Sequence, residues 1–229
     1  MTLITITKKR YKNIMNNYYQ ENSKINVEVN GYNYTIFLDE IFQESAYERD
    51  VISILNNATT GDKVTFMINS DGGCLSSALP ICIAIRESKA EVTGMLLAEA
   101  HSAASMVFLA TDNQIVSNHC SMLVHSASYG TMGKQQDIVD HVKHTQKRLV
   151  DIFNDFYYGF LSESEIEEVL EGRQLFLNCE QISEKLKLRA DIFQKEQDEF
   201  NEMSQPPSRP ELMNMTKKQI VDLIHGEED

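Results

Sequence analysis

The chain lacks the features that mark several protein classes. Ten glycines and four prolines in 229 residues exclude collagen-like and low-complexity chains. No stretch approaches the ~20 apolar residues that cross a bilayer. The longest clean run, Ala78 to Ile85, is interrupted by Pro80, so no membrane association is expected. The four cysteines, Cys74, Cys82, Cys120 and Cys179, form no C-x-x-C pair. The apolar residues at the N-terminus precede Lys8, Lys9 and Arg10, the reverse of a secretory signal. The thiols are therefore expected to be reduced, in a cytoplasmic protein. Positive charge is also scarce: 21 basic against 34 acidic residues leave a formal net charge of −13. Such a surface repels phosphate backbones, so nucleic acid is not an expected partner. P-loop, G-x-G-x-x-G and H-E-x-x-H motifs are all missing.

What is present reads as a folded domain. Hydrophobic residues make up 42% and charged residues 24%, and a chain this long can bury a core without disulfide or metal staples. Tyr32 to Leu38 is a β-branched and aromatic strand. Ala46, Val51, Ile54 and Leu55 recur at helical spacing between Glu44 and Asn57. Val64–Ile68 and Glu91–Leu97 are further strands, and the stretch from Ser77 to Ser88 reads as a helix. With Ser77 as N-cap, Pro80 falls in the first turn, where no amide bond is lost. The succession β-α-β-α-β predicts a layered α/β domain.

The small residues of Ala98–Ala110 allow a helix to start close to neighbouring backbone. Gln114–Ser117 and Ser121–Val124 are short strands. From Gln135 to Phe160 runs a long amphipathic stretch that ends in aromatics; it reads as ordinary core or as an arm packed on another subunit. Ser162-Glu-Ser-Glu165 is a capping box opening a helix to Leu170. Residues 1–30 form an N-terminal arm whose Lys8, Lys9, Arg10, Lys12 and Lys24 face only Glu21 in charge balance, a solvated terminus or a dock for an acidic partner. Residues 31–195 form the compact domain. Residues 196–229 read as a polar linker bearing Pro206, Pro207 and Pro210, then a short helix at Lys217–His225.

Three places invite chemistry. His141 and His144 share a helix face, but no ligand-type partner with suitable spacing accompanies them, so no metal site is expected. The strand ending in Asn69-Ser70-Asp71-Gly72-Gly73 frees backbone N–H groups to face an anion or a substrate backbone. Ser105, after Ala103-Ala104, stands where a helix N-terminus can expose a hydroxyl beside backbone amides. Twenty residues on, His125 closes a strand and is the type of base a serine needs. Spacing alone does not bring Ser105 and His125 together.

In this order the segments resemble the Clp protease proteolytic subunit family, the ClpP serine endopeptidases. The carriers are Ile68-Asn-Ser-Asp-Gly-Gly73, His101-Ser-Ala-Ala-Ser-Met106, Met122-Leu-Val-His125 and Thr35-Ile-Phe-Leu38, over about residues 31–193. The resemblance implies a ClpP/crotonase-like layered α/β fold with a protruding handle helix, here Gln135–Phe160, and a C-terminal tail. It implies Ser105 as nucleophile and His125 as base, with the amides of Gly73 and Met106 as oxyanion hole. No metal or cofactor is needed. The implied partners are copies of the chain in stacked rings, unfolded protein or peptide substrates, and an AAA+ unfoldase driven by ATP.

The departures from the family pattern are specific. Asp71 replaces a proline, and His101 replaces a glycine shortly before the nucleophile. The triad-acid position holds Gln174, which can orient an imidazole but cannot stabilise its charge. Glu171 is the nearest substitute acid and Asp191 a more distant one. Two alternatives follow: a non-catalytic assembly subunit of the same shape, or a particle-maturation protease with the same Ser-His chemistry. A crotonase-type acyl-CoA enzyme would need a glutamate pair at its catalytic positions, and no plausible one stands there.

Overall fold

The computed structural model describes residues 4–6, 31–39 and 45–203. The basic positions of the N-terminal arm, the Pro-bearing segment after 203 and the expected helix at 217–225 lie outside the described residues. The chain divides into two compact units, residues 1–189 and 190–229. Of the second, only helical residues 190–203 are described.

The elements in chain order are strand β1 (Ile4–Ile6), β2 (Asn33–Leu38), helix α1 (Ser45–Asn57), β3 (Lys63–Ser70), α2 (Leu75–Glu87), β4 (Glu91–His101), α3 (Ala103–Ala110), β5 (Asn113–Val116), β6 (Ser121–Val124), α4 (Gln135–Phe156), α5 (Glu163–Leu170), β7 (Leu175–Asn178) and α6 (Cys179–Met203). One sheet runs β1-β2-β3-β4-β6-β7, with β5 also paired to β4. The inner pairs are parallel, because helices α1 and α2 carry the chain back between successive strands. The edge strands β1 and β7 are antiparallel.

Alternation builds the core. Ile36, Leu38, Val64, Phe66, Ile68, Val92 and Leu96 are fully or almost fully buried on one sheet face, and Val51, Leu55, Ile81 and Ile85 of α1 and α2 cover them. Helix α3 is apolar on every side, and every one of its residues is buried. Such a helix belongs inside the fold, not on its surface. β4 serves two neighbours in turn: Thr93–Leu96 pair with β5 and Glu99–His101 with β6. Between these sections its register against β3 slips, Ile68 facing Leu96 but Ser70 facing Ala100. This irregularity falls just before the strand hands over to α3.

The structure corrects three sequence expectations. Helix α2 starts at Leu75 with Cys74 as N-cap, since Ser77 and Ala78 already donate to the Cys74 carbonyl at 3.1 Å. Pro80 therefore lies in the second turn, where its missing N–H leaves the Ser76 carbonyl without its helical donor. The long amphipathic stretch leaves the helix at Phe156, and the amides of Phe160 and Leu161 close a turn on the Tyr157 carbonyl. The linker expected from Glu196 is helical as far as Met203, because its Glu, Gln and Met residues are good helix formers. The capping box at Ser162 is present with both of its bonds.

Helix α4 buries side chains only toward its C-terminal end. Leu149, Phe153 and Phe156 are buried, but nothing between Gln135 and Arg148 is. Arg86 of α2 pins that end, pairing with Asp155 at 2.7 Å and lying 4.1 Å over the Phe156 ring. All four cysteines are free thiols. Among the described residues no helix is long and apolar enough to cross a membrane.

Candidate active site

Two turns at the ends of β3 and β4 meet and set the site. Gly72 has φ +88°, and a Cβ there would lie 2.4 Å from the His101 carbonyl oxygen and 2.8 Å from Ser102 Cβ. The position requires glycine both for its backbone and for this close approach. Ser102, with φ +53° and ψ −126°, holds a conformation that L-residues rarely adopt. Its amide donates to the Leu123 carbonyl at 2.7 Å, which ties the strained turn to β6. The chain then enters α3 at Ala103.

Ser105 sits in the first turn of α3 and is fully buried. Its hydroxyl donates to the Ser102 carbonyl at 2.6 Å and lies 2.7 Å from the Tyr157 hydroxyl. With the serine proton committed to Ser102, Tyr157 is the donor of the second bond. Tyr157 is itself buried, and burial pushes its phenol well above the ordinary tyrosine range, against the smaller effect of the Ser105 bond. Its ring packs on Phe153 with centroids 5.1 Å apart.

His125 follows β6. Its Nδ1 lies 2.7 Å from the Ser126 carbonyl. A carbonyl can only accept, so this bond assigns the proton to Nδ1 and leaves the Nε2 lone pair free. A cavity of about 490 Å³ is lined by Gly73, Met106, His125 and Tyr157 together with Leu149 and Ile152 of α4. Thus the loop glycine, the α3 residue after Ser105 and the histidine border one space. No hydrogen bond joins Ser105 to His125 among the described residues.

The third position departs from a charged triad. β6 and β7 are antiparallel with Val124 opposite Leu175, so His125 and Gln174 are the residues that flank this end of the strand pair. Gln174 is exposed and makes no hydrogen bond to His125 among the described residues. Glu171 is the exposed C-cap of α5, and Asp191 belongs to the second unit. No described carboxylate pairs with His125. The His141–His144 pair is on the exposed part of α4, and His141 meets Tyr129 edge to face at 5.9 Å.

Sequence reasoning missed Tyr157 and Ser102. Tyr157 stood within a run of aromatics whose packing role explained it. The available signal was its hydroxyl, since a tyrosine buried among phenylalanines needs a polar partner.

The class that the fold defines is a layered α/β domain, whose largely parallel sheet carries Ser105 in the first turn of a buried helix and His125 after the neighbouring strand. The family model described as Clp protease matches residues 13–184, more than half of the chain. The chain belongs to the Clp protease family. The matched span starts earlier and ends earlier than the resemblance read from the motifs.

Proposed function

We propose that the protein is a serine endopeptidase in which Ser105 attacks the peptide carbonyl and His125 accepts its proton. The observation that carries this reading is the shared cavity. Gly73, Met106 and His125 border it around the first turn of α3, where Ser105 resides. The reaction begins with the Ser105 hydroxyl turning from Ser102 toward His125. Nε2 takes the proton as Oγ bonds to the carbonyl carbon, and the Gly73 and Met106 amides stabilise the oxyanion. The imidazolium returns the proton to the leaving amine, and water then cleaves the acyl-enzyme by the same route. The Ser126 carbonyl supports this by fixing the tautomer, without charge. Gln174, beside His125, can orient the ring but cannot add one.

The reading extends to a cytoplasmic assembly of copies enclosing these cavities, fed with unfolded chain by an ATP-dependent unfoldase. It is supported by the undocked half of α4, which exposes Val139 and Val142, and by Met132 just before it, which is 97% exposed. A second reading is favoured by the engaged Ser105 hydroxyl and by the lack, among the described residues, of a carboxylate paired with His125: a non-catalytic subunit that only assembles. A serine-directed phosphonate decides between them. Labelling of Ser105 in the wild type and not in Ser105→Ala, with hydrolysis lost and assembly kept, supports the enzyme. Equal hydrolysis by the two proteins refutes it.

A further inference from the structure

We propose that Asp71, Glu99 and His101 bind a divalent transition cation, zinc foremost, which clamps the turn leading to Gly73 onto the turn leading to Ser105. The inference stands apart from the hydrolytic reading, since it rests on other side chains.

The three ligand atoms, two carboxylate oxygens and an imidazole nitrogen, lie within 4.8 Å of one another. His101 Nδ1 is 3.5 Å from Asp71 Oδ1. A direct charge-assisted hydrogen bond is shorter, about 2.7–2.9 Å. Two ligands each ~2.1 Å from a tetrahedral centre stand ~3.4 Å apart, so the two atoms are spaced to reach one cation. The other ring nitrogen, Nε2, lies 3.4 Å from Ser121 Oγ. An outer partner on the second nitrogen is the arrangement that orients metal-bound imidazoles. Ser121 is held in place by strands on both sides, opposite Glu99 and Asn178.

The backbone prepares the cluster. Glu99 and His101 are two apart on β4 and so share a face, and the bulge between them and Leu96 re-aims that face. The Glu99 amide is held by Asn69 Oδ1 at 3.3 Å. Asp71 comes from the end of β3. Among the described residues neither Asp71 nor Glu99 pairs with a lysine or arginine. One imidazole and two carboxylates suit zinc, and three protein ligands leave a coordination position open. The two substitutions that depart from the family motif, proline to Asp71 and glycine to His101, therefore face each other as ligands. Asp71 is two residues before Gly73, and His101 is four before Ser105. A bound cation ties the turn that carries Gly73 to the strained start of α3.

The test uses the full chain, stripped with a chelator, in a Cys74→Ser background so that the exposed thiol does not compete. Calorimetric titration with zinc should give one ion per chain. His101→Gln and Asp71→Asn should abolish saturable binding while leaving the circular dichroism unchanged, and Ser121→Ala should weaken binding by about 10–100-fold. Cobalt in place of zinc should show nitrogen and oxygen ligation without a thiolate charge-transfer band. Zinc should slow amide hydrogen exchange in residues 70–75 and 101–105. No saturable binding to the stripped chain overturns the proposal. So does binding that survives His101→Gln, or binding that is lost instead with His141→Gln.

Discussion

Tyr157→Phe is the most informative perturbation of the site. The Ser105 hydroxyl is held by two bonds, 2.6 Å to the Ser102 carbonyl and 2.7 Å to the Tyr157 hydroxyl. Each is worth about 0.5–1.5 kcal/mol net. Turning Oγ toward His125 gives up both, about 2 kcal/mol, which at 1.36 kcal/mol per tenfold slows acylation by a factor of about thirty. Removing the phenol hydroxyl leaves only the Ser102 bond to break. The barrier then falls by about 1 kcal/mol, and acylation rises about fivefold. The ring stays on Phe153, so packing is kept, and the lost bond costs stability by about 1 kcal/mol. The assay is the second-order rate of phosphonate labelling at Ser105, read by intact mass, with Ser105→Ala as blank and urea midpoints as fold control. Labelling at the wild-type rate would refute the argument that Tyr157 restrains the nucleophile. Slower labelling would refute it too, and would make the phenol a donor to the transition state.

Two further outcomes follow from the surroundings of the site. Gln174→Asp puts a carboxylate beside His125, but at an exposed position, so the gain in acylation rate is about fivefold or less, as for other screened surface pairs of up to about 1 kcal/mol; a gain of a hundredfold would mean that the position is enclosed in the working assembly. Partial burial raises the Glu165 carboxyl, but Lys185, 2.8 Å away, and the Ser162 amide outweigh it, and the net direction is below the usual range. A carboxyl lowered by folding adds stability that is present above its unfolded pKa and lost as pH falls through the folded value. Urea midpoints of Glu165→Gln should therefore lie below wild type at about pH 7 and approach it as pH falls through and below the ordinary carboxylate range; a constant gap across that range would contradict the coupling.

Elements whose signal lies between neighbours in the chain are legible before folding. Alternation in Asn33–Leu38 and Lys63–Ser70, helical spacing in Ser45–Asn57 and the Ser162 capping box are local patterns, and each element formed where its pattern lies. The order of Gly72-Gly73, Ser105 and His125 was legible for the same reason, because each belongs to a short contiguous motif. Tertiary structure decided what rests on residues far apart in the chain. Tyr157 meets Ser105 across 52 positions, and the partner that takes the His125 Nδ1 proton is a backbone carbonyl, which no residue type announces. The register shift between β3 and β4 sets Ser70 opposite Ala100 and so brings Asp71 to His101, residues 30 positions apart. Local propensity carries no record of that shift, since a register is set by the packing of whole strands against one another.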